Sequence, residues 1–193
     1  RSAALAQPRL RQGSGGQARK PNSVIGGVSL GTITYSYRSM PDQSAEATLR
    51  YVVESGISQI ELMNGPAESF AGAPQGGRGG GGRRGEQPTP EQQAAQRESA
   101  QRLKQWRTSV SMDRFKQLRK MFNDAGVTIY AWKALNPNMS DQEFEYVFNV
   151  AEALGCTHTT LELPTDLAQL NGSEPSRRSG RSTRGTTPIF RAA

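Results

Sequence analysis

Three times in this chain an amphipathic helical pattern ends on a glycine and runs straight into an apolar, β-branched stretch. The glycines are Gly56, Gly126 and Gly155, and the stretches behind them are ISQIELM (57–63), VTIYAWKAL (127–135) and THTTLEL (157–163). Glycine closes helices because it adopts the left-handed conformation without a Cβ clash. A strand that follows a helix so closely is set up to pair in parallel with the strand before that helix, because a parallel crossover needs a long connection and a helix supplies it. The repeat therefore predicts an α/β fold with about four βα units around a parallel sheet. Four strands in one order suit half of an eight-stranded barrel or a small doubly wound sheet, and the repeat alone leaves both open.

The elements around these junctions follow the same logic. Val24 to Tyr37 (VIGGVSLGTITYSY) is apolar and β-branched and reads as the first, buried strand. Ser44 to Ser55 reads as a helix capped by Ser44, with Ala47, Leu49, Tyr51, Val52 and Val53 as its apolar face. Met112 to Ala125 places Phe115, Leu118, Met121 and Phe122 at helical spacing. Ser140, with Glu143 three residues on, is a capping box opening a helix to Leu154. Pro164-Thr-Asp starts a further helix, to about Leu170. Residues 65–108 break the rhythm: a Gly/Arg-rich run (76–85) precedes Pro88-Thr-Pro-Glu and a polar helical run to about Trp106. They read as a surface insertion.

Composition limits how much of the chain can share one core. Of 193 residues only 34% are hydrophobic and 21 are Gly, so part of the chain is expected to lack a core. The net charge of +7 sits in the tails: residues 1–23 carry +5 and residues 171–193 carry +4, so the span between carries −2. The basic balance is thus poor evidence that a folded part binds nucleic acid. The Gly/Arg run resembles an RNA-binding segment, but it lacks interleaved aromatic residues, which argues against nucleic acid as a partner. No apolar run reaches the roughly 20 residues of a membrane span, so no membrane partner is expected. Cys156 and His158 are the single cysteine and the single histidine, which rules out an internal disulfide and a His-rich metal site.

Residues 1–23 have no periodicity and read as disordered. Their start, RSAALAQ, is similar to the end of an export signal; a periplasmic location and a plain disordered tail stand side by side. From Asn171 the apolar positions vanish. A disordered basic tail is one reading. The other is a shifted reading frame, since the codons read one nucleotide earlier permit the finish of the helix, a further strand and a His-x-His pair.

The segments GVSLGTITYSYR, GISQIELMNGPAESFAGAP, FKQLRKMFNDAGVTIYAWKAL and FNVAEALGCTHTTLELP, in that order, resemble the sugar phosphate isomerase/epimerase family of xylose-isomerase-like barrels. The likeness covers residues 24–170 less the insertion. It implies the first half of a (β/α)8 TIM barrel and a small-molecule sugar or sugar phosphate as partner. It also implies proton transfer next to a sugar carbonyl, assisted by a divalent metal (Mn, Mg, Zn or Co) acting as a Lewis acid. In that family the metal ligands come mainly from strands five to eight, which are missing here. The chain is therefore expected to be an inactive fragment that binds no metal. The alternative is a non-catalytic half-barrel, self-associating through its open edge, or a basic-tailed binding module.

Barrel enzymes place their chemistry at the C-terminal ends of the strands. Glu61 and Glu162 each stand between apolar neighbours near a strand end, where an isolated carboxylate is costly to bury without a function or a partner. They are the catalytic candidates, and Glu162 is the one weak metal-ligand candidate. A structural ion pair or simple exposure is the other reading for both. Tyr35 and Tyr37 at the end of the first strand are candidates for stacking on a sugar, or are core. Asn64 is placed to bond a sugar hydroxyl or to cap a turn. Lys133 is placed to contact a phosphate or hydroxyl, or to snorkel at the rim. His158, at the start of the fourth strand, reads as structural.

Overall fold

The computed structural model describes residues 20–74, 89–136, 138–161 and 190–191. A parallel sheet runs in sequential order through β3 (Gly31–Ile33), β4 (Gln59–Met63), β5 (Thr128–Leu135) and β6 (His158–Leu161). A two-residue strand, β7 (Phe190–Arg191), adds to β6 in the antiparallel sense. Helices α1 (Ala45–Glu54), α2 (Asn64–Phe70), α3 (Pro90–Arg107), α4 (Asp113–Asp124) and α5 (Asp141–Leu154) fill the connections.

The three glycine junctions form as the sequence predicts, and with one hydrogen-bond pattern. Gly56, Gly126 and Gly155 have φ of 73°, 84° and 70°. Each glycine N–H bonds a carbonyl three residues back, and the next N–H reaches five residues back: Ile57 to Val52 at 3.2 Å, Val127 to Phe122 at 2.9 Å, Cys156 to Ala151 at 2.9 Å. This pairing satisfies orphan carbonyls of the last turn and turns the chain directly into the next strand.

Side chains alternate across the sheet. Ile60, Leu62, Ile129, Trp132 and Thr159 lie on one face and are at most 2% exposed. The four apolar ones join Val52 of α1, Ala67 of α2, Phe115, Leu118 and Phe122 of α4, and Val147, Val150 and Leu154 of α5 in one core. Gln59, Glu61, Met63, Lys133, His158 and Thr160 are on the other face and are half-buried. Among the described residues, α1, α2, α4 and α5 contribute their apolar stripes to the first face, while α3 buries no residue fully.

Several expectations need correction. The run from Val24 to Tyr37 is not one buried strand. It forms a hairpin of β1 (Val24–Ile25) and β2 (Val28–Ser29), then β3, then a 3-10 turn over Thr34–Tyr37. Gly26 and Gly27, with φ of 58° and 81°, supply the two-residue turn that right-twisted hairpin strands require. Val24, Ile25, Val28 and Leu30 are 45–67% exposed as a result. Residues 20–23 do not belong to a structureless tail: Ser23 is 7% exposed, and its hydroxyl meets that of Ser58 at 2.8 Å. The remainder of that tail, 1–19, lies outside the described residues. The insertion is also shorter at both ends than 65–108. Ala67 and Glu68 of α2 are buried, and Trp106 and Arg107 at the end of α3 pack on the body. The Gly/Arg run, the helix expected from Pro164 and the 171–193 tail apart from β7 fall outside the described residues.

Candidate functional site

In a sequential parallel sheet the strand C-termini share one edge, and the half-buried polar face rises toward it. Glu61 is its central carboxylate. Its register partners are Ile33 on β3 and Ala131 on β5. The hydroxyl of Thr160, two strands away on β6, donates to Glu61 Oε1. Tyr130 is the extra residue of a bulge in β5, opposite the step from Ile60 to Glu61. Gly31 leaves its ring room: a Cβ there would lie 3.0 Å from Tyr130 Cε1. Burial first, and then the charge of Glu61, raise the Tyr130 phenol above its ordinary pKa. Lys133 stands opposite Met63, on the face that carries Glu61.

The other candidates take different places. Tyr35 and Tyr37 are not strand residues but members of the 3-10 turn after β3, which is tied to the end of β4 by a bond from Met63 N–H to Thr34 Oγ1 at 3.0 Å. Tyr35 is exposed and carries the Arg38 guanidinium 4.6 Å over its ring. Tyr37 stacks on Tyr51 of α1 at 6.1 Å, which fits the core reading better than a sugar platform. Asn64 is the first residue of α2, with Met63 as the N-cap. Glu162 lies outside the described residues. His158 begins β6, and its Nδ1 is 2.6 Å from the Thr157 hydroxyl. Cys156 is 6% exposed, and burial pushes its thiol up to about 12.

A second polar cluster has no counterpart among the sequence expectations. Arg107 at the end of α3 bonds Glu68 of α2 twice, Nε to Oε1 at 2.8 Å and NH2 to Oε2 at 3.2 Å. Its NH1 reaches Glu143 of α5 at 3.3 Å. Tyr146 donates to Glu68 at 3.2 Å, and the Ser140 N–H and hydroxyl bond Glu143 at 3.1 and 3.0 Å. Trp106, Phe115 and Tyr146 enclose the group with ring centroids 6.1–6.5 Å apart. Each carboxylate is held by fixed donors, so the cluster works as a clamp joining three helices. No local sequence signal marks it: Arg107 lies 36 residues from Glu143 and 39 from Glu68, and both Glu68 and Arg107 fall in the segment that reads as insertion.

Among the described residues no group of three or more His, Cys, Asp and Glu could hold a metal ion. Glu61 alone does not make a divalent site, so the described residues do not fit the metal that the family resemblance implies. Among them, too, no helix is long and apolar enough to cross a membrane. No family model, curated protein or solved structure matches the chain.

Proposed function

We propose that the chain forms the first four βα units of a (β/α)8 barrel of the sugar isomerase/epimerase type, and that its polar sheet face is one wall of a sugar site. The observation that carries this reading is the winding. Strands are added in one direction, β3-β4-β5-β6, and α1, α2, α4 and α5 pack their apolar stripes on one side. A doubly wound sheet reverses direction and carries helices on both faces, whereas a barrel keeps its helices outside and its second face for the lumen. A parallel sheet is ordinarily covered on both faces. On this reading Glu61 accepts a sugar hydroxyl or a proton next to the carbonyl, and Lys133 meets a hydroxyl or phosphate. The metal of the resemblance would be held by residues other than those described, and no step is routed through it.

The test is a 15N NMR titration of the chain with a panel of aldoses, ketoses and their phosphates. Shifts centred on Glu61, Ala131, Lys133 and Thr160 are expected with at least one sugar. If saturating sugar leaves this face unmoved, the reading fails. A second reading, a non-catalytic half-barrel that associates with itself, is favoured by the exposed Val24, Ile25, Val28 and Leu30 beside the β3 edge. It predicts that the hairpin amides move with protein concentration and not with sugar.

A further inference from the structure

Glu61 and Thr160 are hydrogen-bonded although a whole strand lies between them. Neighbouring strands stand about 4.8 Å apart, so β4 and β6 are roughly 10 Å apart. Ala131 is in register with Glu61 on one side and with His158 on the other; Thr160 lies two residues beyond His158 on the same face, so the contact crosses β5 diagonally, over Ala131 and toward Lys133. A methyl group leaves the way clear where a longer side chain would fill it. Ala131 is 1% exposed, yet it is not part of the core beneath the helices, as expected of a residue roofed by the bond above it. The pleat sets the other end. Thr159 is 2% exposed on the helix side, so Thr160 turns to the face of Glu61. The bond engages Oε1 and not Oε2.

We infer that Thr160 is a positioning residue, holding the Glu61 carboxylate across Ala131 so that Oε2 is presented to a sugar hydroxyl. This rests on the sugar-site reading above. The role needs three things together: a hydroxyl at 160, a minimal side chain at 131, and a carboxylate long enough to cross one strand.

The test uses the full chain and three variants: Thr160→Val, Thr160→Ser and Ala131→Leu. Three-bond carbon couplings across χ1 and χ2 of Glu61 report whether its side chain is held in one rotamer. The NMR titration with the best-bound sugar of the panel reports affinity. Thr160→Val and Ala131→Leu are expected to average the Glu61 rotamers and to weaken the sugar about tenfold, the scale of one lost bond to a charged group. Thr160→Ser should keep both near wild type. Wild-type couplings and affinity in Thr160→Val would overturn the inference, even if its melting temperature fell, because that is what a purely structural bond gives. Equal loss in Thr160→Ser would overturn it as well. If no sugar binds the wild-type chain, the sugar-site reading and the role inferred from it fall together. The couplings then still report whether Thr160 fixes the carboxylate, which separates that failure from a failure of the Thr160 contact.

Discussion

Arg107→Ala should destabilise the fold by about 3–5 kcal/mol, the usual loss when one partner of a buried ion pair is removed. The side chains of Arg107, Glu68 and Glu143 are 9%, 7% and 12% exposed, so water does little to screen them. The loss falls unevenly on the two carboxylates. Glu143 keeps the Ser140 N–H and hydroxyl. Glu68 loses two bonds and, among the described residues, keeps only the Tyr146 hydroxyl at 3.2 Å. The cost is therefore mainly that of stranding Glu68, and Glu68→Gln in the Arg107→Ala background should recover about 1–2 kcal/mol, since a neutral amide is cheaper to bury.

Urea unfolding followed by circular dichroism measures these differences, and a thermal scan should show the single variant melting roughly 10 °C lower at about 2–4 °C per kcal/mol. Arg102→Ala is the control. Arg102 meets Glu98 at 2.6 Å, closer than any contact of Arg107, but those side chains are 53% and 68% exposed. Its loss should cost less than about 0.5 kcal/mol. If Arg107→Ala stays within about 1 kcal/mol of wild type, or the double variant is no more stable than the single one, the clamp is not what joins α2, α3 and α5.

Gly155→Ala and Gly56→Ala should cost about the same. Both positions are left-handed, at about 1–2 kcal/mol for a residue with a Cβ. A Cβ at 155 would stand 2.3 Å from Arg119 Cζ, but that is the end of an exposed, flexible side chain that can swing aside, and nothing lies within 4 Å at 56; a markedly larger loss at 155 in urea would refute this. Acid should weaken the clamp through Glu143. Burial opposes its ionisation, but the Ser140 N–H and hydroxyl and Arg107 outweigh it and hold the carboxyl below its ordinary pKa. A depressed folded value means that this stabilisation is fully present above the unfolded carboxylate pKa of about 4.3 and is lost as pH falls through the folded one. Urea midpoints between pH 6 and 3 should fall less steeply in Glu143→Gln; unchanged steepness would count against it.

What the sequence makes legible is what is local. Helix closure at Gly56, Gly126 and Gly155 needs only a left-handed glycine after an apolar stripe, and all three form. The hairpin at Gly26 and Gly27 was legible too, since Gly-Gly between β-branched residues is a hairpin turn signal. The apolar, β-branched run from Val24 to Tyr37 around it masks that signal. The Arg107 clamp belongs to another class. Glu68, Arg107 and Glu143 come together only once three helices are docked, and no periodicity records which charge will be buried against which. Glu61 stood out as an acid inside an apolar strand, but its partner did not, because parity within β6 is meaningful only when the register across β5 is known.

That register turns on one residue. Without the bulge at Tyr130, Ile60 opposite Ile129 would be followed by Glu61 opposite Tyr130, Leu62 opposite Ala131 and Met63 opposite Trp132. Residues directly opposite one another share a face, so Trp132 would then stand on the polar side and the core beneath α4 and α5 would lose its largest side chain. The extra residue instead sets Leu62 against Trp132 and Glu61 against Ala131. One inserted position thus does two things: it returns the indole to the core, and it places the smallest chiral side chain where the carboxylate has to cross. The alternation of TIYAWKAL supports either register equally well, and only the packing demands of Trp132 choose between them. The polar face is in this sense a consequence of the core behind it, and a substitution that moved the bulge would dismantle the Glu61–Thr160 contact without touching either residue.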